Sequence, residues 1–166
     1  MILNRPLLIS LLLISNLIKA QTSLQGLGGN PIYFIDSVRV SSNEVMKADP
    51  AKVTLLTVVS REEASEKFGE EAKDGIVYVE TVNFVKRRYW DYFRAKRNDS
   101  KPISKIDNYQ NLQFILNEKP LQDIDIGKLH IVNDETLEEF KIINKKELKK
   151  KYKVKDRDYG IEIKTK

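Results

Sequence analysis

The chain of 166 residues lays out one structural plan twice, and this duplication restricts it to a fold assembled from two similar small halves. The first copy runs from about Pro31 to Val82 and the second from about Asn111 to Lys166. Each opens on an extended apolar run, Ile32-Tyr33-Phe34-Ile35 in one and Leu112-Gln113-Phe114-Ile115-Leu116 in the other. Both runs read as strands, aligned with Phe34 on Phe114, 80 positions apart. A polar stretch and a short capped turn follow, Asp49-Pro50-Ala51-Lys52-Val53 against Asn133-Asp134-Glu135-Thr136-Leu137. In the next strand Leu56, Val58 and Val59 match Phe140, Ile142 and Ile143 at a spacing of 84, which assigns four extra residues to the loop at 122–130.

A helix with the same start and the same inward face comes next in each copy. Ser60 with Glu63, and Asn144 with Glu147, have capping-box spacing. The first side chain accepts the backbone N–H three residues on, and the Glu reaches back to the first residue's N–H. Each cap is expected to stabilise its helix by ~1 kcal/mol. Ala64 and Phe68, or Leu148 and Tyr152, stand four apart on a face that can pack on a sheet, and burial of the Phe68 ring is worth roughly 2–3 kcal/mol. Each copy closes on a glycine and a strand, Gly75 before Ile76-Val77-Tyr78-Val79-Glu80-Thr81 and Gly160 before Ile161-Glu162-Ile163-Lys164-Thr165. The glycines permit positive φ where helix and loop hand over to strand. The pattern predicts an α+β protein of two β-α-β repeats. Each is near the size at which one core is marginal, so the copies are expected to pack together or around their connector.

The first copy resembles the plug domain of TonB-dependent outer-membrane receptors, particularly those of Bacteroidetes-type bacteria. The likeness is carried by Pro31 to Asp36, Asp49-Pro50, Val53 to Val59, Ala64 with Phe68-Gly69, and Asp74-Gly75 through Thr81. It covers about fifty residues well, and the second copy is a diverged echo through Phe114, Glu147, Tyr152 and Gly160 to Thr165. Ser37 stands where the family has Gly, and the second copy lacks the aromatic-Gly pair. No run of alternating transmembrane strands follows the copies. The resemblance therefore implies a plug-like protein without its barrel, acting by interaction, and it transfers no catalytic residue.

Residues 1–20 have a basic start at Arg5, an apolar stretch from Leu7 to Ile18 and a small residue, Ala20, which together read as a secretory signal peptide. Its removal takes away Arg5 and Lys19 and lowers the formal charge from +5 to about +3. Residues 21–30 are polar and Gly-rich and read as a flexible lead-in. Gly26, Gly28 and Gly29 do not form a phosphate loop, which must join a strand to a helix. With 29 Lys and Arg against 24 Asp and Glu, the charge excess is not the footprint of a nucleic-acid binder. The absence of Cys excludes disulfides, Cys-ligated zinc and a thiol nucleophile.

Between the copies, residues 83–110 form an aromatic and basic connector. Val85, Tyr89, Tyr92 and Phe93 fall on one helical stripe, with Lys86, Arg87, Arg88, Arg94, Lys96 and Arg97 flanking or opposing it. The simplest reading is a helix whose rings pack on the repeats while its cations reach water. The same segment supplies the candidate partner-binding residues, Arg87, Arg88, Tyr89, Trp90, Tyr92, Phe93 and Arg94, because Trp, Tyr and Arg are enriched at contact centres. Residues 98–110 are polar, contain Pro102 and read as a loop.

Few groups could converge on a reaction. His130 stands alone in an alternating stretch and is expected on a strand face. Asp123 and Asp125 fall on one side of an extended segment, too few for a hard-cation loop. The run from Lys145 to Lys153 is lysine-rich, but Leu148 and Tyr152 mark an inward face, so its lysines form a wet side able to attract anionic lipid or acidic polymer. The expectation is an exported, non-catalytic interaction protein of the periplasm or outer membrane, without metal or cofactor. Its partner is an envelope protein or glycan and not nucleic acid. A cationic binder of the envelope or membrane surface is the second reading, and a carboxylate-dependent hydrolase the third.

Overall fold

The computed structural model describes residues 26–96 and 109–166, so the expected signal peptide lies outside the described residues. The first repeat contains β1 (Ile32–Ile35), β2 (Val38–Val40), α1 (Ser42–Met46), β3 (Val53–Val59), α2 (Arg61–Phe68) and β4 (Ile76–Thr81). Helix α3 (Val82–Lys96) follows without a break. The second repeat contains β5 (Leu112–Leu116), β6 (Lys119–Pro120), β7 (Leu137–Asn144), α4 (Lys145–Tyr152) and β8 (Tyr159–Thr165). The strands form two four-stranded sheets of identical plan, β2-β1-β4-β3 and β6-β5-β8-β7, so the chain is α+β with one topology used twice. Within them β1 runs parallel to β4 and β5 to β8, while β7 runs antiparallel to β8. Helix α4 therefore connects two antiparallel neighbours rather than the parallel pair. The chain divides into two compact units, one formed within residues 1–46 and 56–79, the other by 47–55 and 80–166. Helix α3 belongs to the second.

The two copies correspond most closely at features that fix backbone direction. Both open with a two-residue hairpin, Asp36-Ser37 and Asn117-Glu118, whose four residues all take positive φ (50°, 70°, 47° and 67°). Two successive left-handed residues give the turn whose twist matches that of the flanking strands. The N–H of Asp36 donates to the Val79 carbonyl and that of Asn117 to the Ile163 carbonyl, at 3.0 and 2.9 Å. These bonds equate Ile35 with Leu116 and Val79 with Ile163, spacings of 81 and 84. The sequence alignment of Phe34 with Phe114 is therefore one residue out, as is that of Gly75 with Gly160. Such a slip moves a side chain to the opposite face of a strand. Phe34 packs on the helix-covered face and stacks on Tyr78 with centroids 5.1 Å apart, and its counterpart is Ile115; Phe114 points to the other face.

The corrected register explains how the two copies are filled. Ala64 on α2 and Ile76 on β4 are buried together, and their counterparts are Leu148 on α4 and Gly160 on β8. The same space is thus filled from the sheet side in one copy and from the helix side in the other. A Cβ on Gly160 would lie 2.6 Å from Leu148 Cδ2 and 3.0 Å from Ile115 Cδ1, so this glycine makes room and does not serve a positive φ. Gly75 does take φ +89°, and its Cβ would meet the Val59 carbonyl at 2.8 Å.

Three further expectations change. Phe68 is 56% exposed, because α2 ends there, Gly69 turns the chain at φ +76°, and Ala72 from the next 3-10 turn enters the core in its place. Ser60 accepts the Glu63 N–H at 3.3 Å, but the Glu63 carboxylate turns to Lys67, so of the two expected capping boxes only that of Asn144 and Glu147 is complete. The described part of the lead-in, residues 26–30, is bonded to its unit. The Gly26 carbonyl accepts the Arg61 N–H at 2.9 Å, and the Gly28 N–H donates to the Asp74 carbonyl at 2.8 Å, an approach a Cβ on Gly28 would block.

Candidate functional site

The aromatic connector is a helix as far as Lys96, and most of the rings on it are interior; Arg97 and the expected loop up to residue 108 lie outside the described residues. Thr81 Oγ1 accepts the Phe84 N–H at 3.3 Å and starts α3 at the end of β4. Val85, Tyr89, Trp90 and Phe93 then pack against Leu112, Phe114, Ile161 and Ile163, on the face of the second sheet that α4 leaves open. With both faces covered, all five residues of β5 are buried. Phe93 is fully enclosed, its centroid 4.9 Å from that of Phe140, and the Tyr89 hydroxyl donates to the Val132 carbonyl at 3.4 Å. Tyr89, Trp90 and Phe93, three of the candidate contact residues, therefore belong to the core and present no surface to a partner. The physical reason is the sheet's second apolar face, which would otherwise meet water.

Four candidates reach the surface. Tyr92 is half-buried and donates its hydroxyl proton to Asp134 Oδ1 at 2.9 Å. Partial burial first, and this bond second, push its pKa up to about 12. Lys96 meets the same carboxylate at 2.9 Å and, with Tyr92, holds Asp134 below the usual carboxylate range. Arg88 forks onto Glu80 and lies over Phe84 and Tyr89; Arg94 lies over Trp90, 5.9 Å from the ring centroid. Arg87 is exposed, stacked 5.9 Å from the Phe84 centroid, and forms no ion pair among the described residues. Lys86, expected in water, is instead 6% exposed and meets Asp123 at 2.5 Å. It stands one turn before Trp90 at the margin of the buried stripe, where an ammonium without a carboxylate would be costly.

The stretch expected to be extended is a 3-10 segment, Asp123–Ile131, which buries Ile126 and Leu129. Asp123 and Asp125 consequently engage different lysines, Lys86 and Lys128, and do not share a cation site. His130 Nδ1 donates to the Gly127 carbonyl at 2.9 Å, which folds the imidazole back on its own turn instead of setting it on a strand. Thr54 Oγ1 accepts the Gly127 N–H at 2.8 Å and donates to the Ile124 carbonyl at 3.1 Å, so residues 47–55 take part in the second unit's polar framework. Among the described residues no group of three or more His, Asp or Glu side chains could hold a metal.

One cluster escaped the sequence reading. Glu162 on β8 accepts from the Tyr152 hydroxyl at 2.6 Å and from Lys151 Nζ at 2.5 Å, at the margin of a cleft of about 210 Å³. The signal was present in the alternation Ile161-Glu162-Ile163, which turns Glu162 away from the two buried isoleucines and toward the helix-covered face. Desolvation raises the Glu162 carboxyl, but the bonds from Lys151 and Tyr152 outweigh it and hold the group below its usual value. Burial, supported by Glu162, raises Tyr152. Both shifts lead away from neutrality, opposite to the direction a general acid or base working at pH 7 requires. A wider depression of about 840 Å³ is lined by Gln113, Asp123, Lys153, Lys155, Asp156 and Arg157, and its two carboxylates are each paired with a cation.

No protein-family model, curated protein or solved structure matches the chain.

Proposed function

We propose that the chain is an exported, non-catalytic interaction protein of the bacterial cell envelope, built from two repeats like the receptor plug. The observation that carries this reading is the use made of its ionisable groups. Lys86, Asp123, Asp125, His130, Tyr152 and Glu162 are each held by a partner within the second unit, so they brace the fold and are not arranged around a substrate. No cofactor is assigned. The contact surface is the outward side of α3, with Arg87 and Arg88 over the half-buried Phe84 and Arg88 and Arg94 over the core rings Tyr89 and Trp90. Guanidinium groups placed over such rings offer a rigid, partly desolvated contact to an acidic or aromatic group of a protein or glycan.

Affinity capture on immobilised residues 21–166 from envelope extract is expected to retain one protein or glycan specifically. The Arg87→Ala, Arg94→Ala double variant should release it at unchanged thermal stability. Retention indifferent to that variant would overturn the assignment of the surface. Hydrolysis of a glycoside or ester that disappears in Glu162→Gln would overturn the non-catalytic reading.

A further inference from the structure

The lysine run of α4 is not neutralised by its surroundings. Lys146, Lys149, Lys150 and Lys153 stand at i, i+3, i+4 and i+7, one continuous stripe opposite the fully buried Leu148, and all four are exposed. Lys153, at the helix cap with φ +63°, donates to the Lys150 carbonyl at 3.3 Å and stays beside the stripe. The acids that face α4 are already matched to other lysines: Glu147 to Lys141, Asp158 to Lys145 and Glu162 to Lys151. Among the described residues none of the four stripe lysines meets a carboxylate. Like charges at these spacings work against the helix that carries them. The corresponding positions of α2 are Glu62, Ser65, Glu66 and Gly69, so the same plan accepts the opposite sign and the lysines are not required by the fold.

We infer that this stripe docks the protein on an anionic phospholipid surface. Exposed ion pairs contribute little each and demand matched geometry, which disfavours the alternative of a second copy offering its acidic α2. A sheet of anionic headgroups needs no such match and gives each lysine near it roughly a fivefold gain in partitioning. The inference deepens the reading of the chain as an envelope interaction protein and rests on it only for bringing a membrane within reach.

The test is co-sedimentation of residues 21–166 with vesicles of phosphatidylcholine alone or mixed with phosphatidylglycerol. Binding is expected to the mixed vesicles only, and to vanish as salt rises from about 0.1 M to about 1 M and the screening length falls from about 10 Å to about 3 Å. Replacing the stripe with the residues of α2, Lys146→Glu, Lys149→Ser and Lys150→Glu, should weaken it about 100-fold, while Lys→Arg at the same positions should retain it. Should the charge-reversed variant fail to fold, the arginine variant and the salt series decide. Equal binding to neutral vesicles, indifference to salt, self-association without vesicle binding, or capture by a soluble acidic polysaccharide alone would each overturn the inference. Absence of vesicle binding with partner capture through α3 intact would overturn it while leaving the proposed function standing.

Discussion

Gly160 and Leu148 form a matched pair in which the missing side chain of one is the space occupied by the other. Restoring a methyl group at Gly160 pushes it to 2.6 Å from Leu148 Cδ2, inside a cluster where Ile115 and Ile143 leave no room for retreat. Gly160→Ala is expected to cost about 1–3 kcal/mol of stability as overpacking, and Leu148→Ala about 2–5 kcal/mol as a cavity. Because each change relieves the other, urea unfolding of the double variant should show a cost below the sum by at least about 1 kcal/mol. Strict additivity would mean that the two residues do not share one space. The first repeat is the natural counterpart of that double variant, with Ala64 beneath the helix and Ile76 in the strand.

The two matched helices start alike and are secured unequally. In α4, Asn144 accepts the Glu147 N–H at 3.1 Å and Glu147 returns a bond to the Asn144 N–H at 3.2 Å. In α2 the Ser60 bond is longer and Glu63 is diverted to Lys67. Asn144→Ala is expected to cost about 1–2 kcal/mol and Ser60→Ala less than about 1 kcal/mol, read from paired denaturant curves. Equal costs would show that the reciprocal Glu147 bond contributes nothing. Helix α3 was legible as a helix from its aromatic stripe, and so was the inward aim of Val85, Tyr89 and Phe93. The burial of Trp90 and Lys86 was not, because the width of a buried stripe depends on how much sheet faces it and the periodicity reports only its centre.

For the whole molecule, the role of α3 can be separated from that of the repeat it precedes. Residues 109–166 alone would strip Leu112, Phe114, Ile161 and Ile163 of the cover given by Val85, Tyr89, Trp90 and Phe93. That fragment is expected to bind an apolar dye and to melt without a cooperative transition, whereas residues 80–166 should unfold cooperatively, weakened only by loss of the Thr54 bonds. A cooperative, dye-silent 109–166 fragment would show that α3 is dispensable. The duplication, the sequence of the two longer strands, capped helix and closing strand in each copy, the N-cap residues Ser60 and Asn144 and the α+β class followed from the linear chain, because they rest on local spacing: a cap needs its partner three residues on, and a strand needs its alternation. The strand order, the one-residue correction between the copies, the exposure of Phe68 and the pairing of Glu162 with Tyr152 did not follow. They depend on which surfaces meet, and a hydrogen bond between residues 36 and 79, or a methyl group that Leu148 leaves no room for, is a constraint between distant points that no local spacing records.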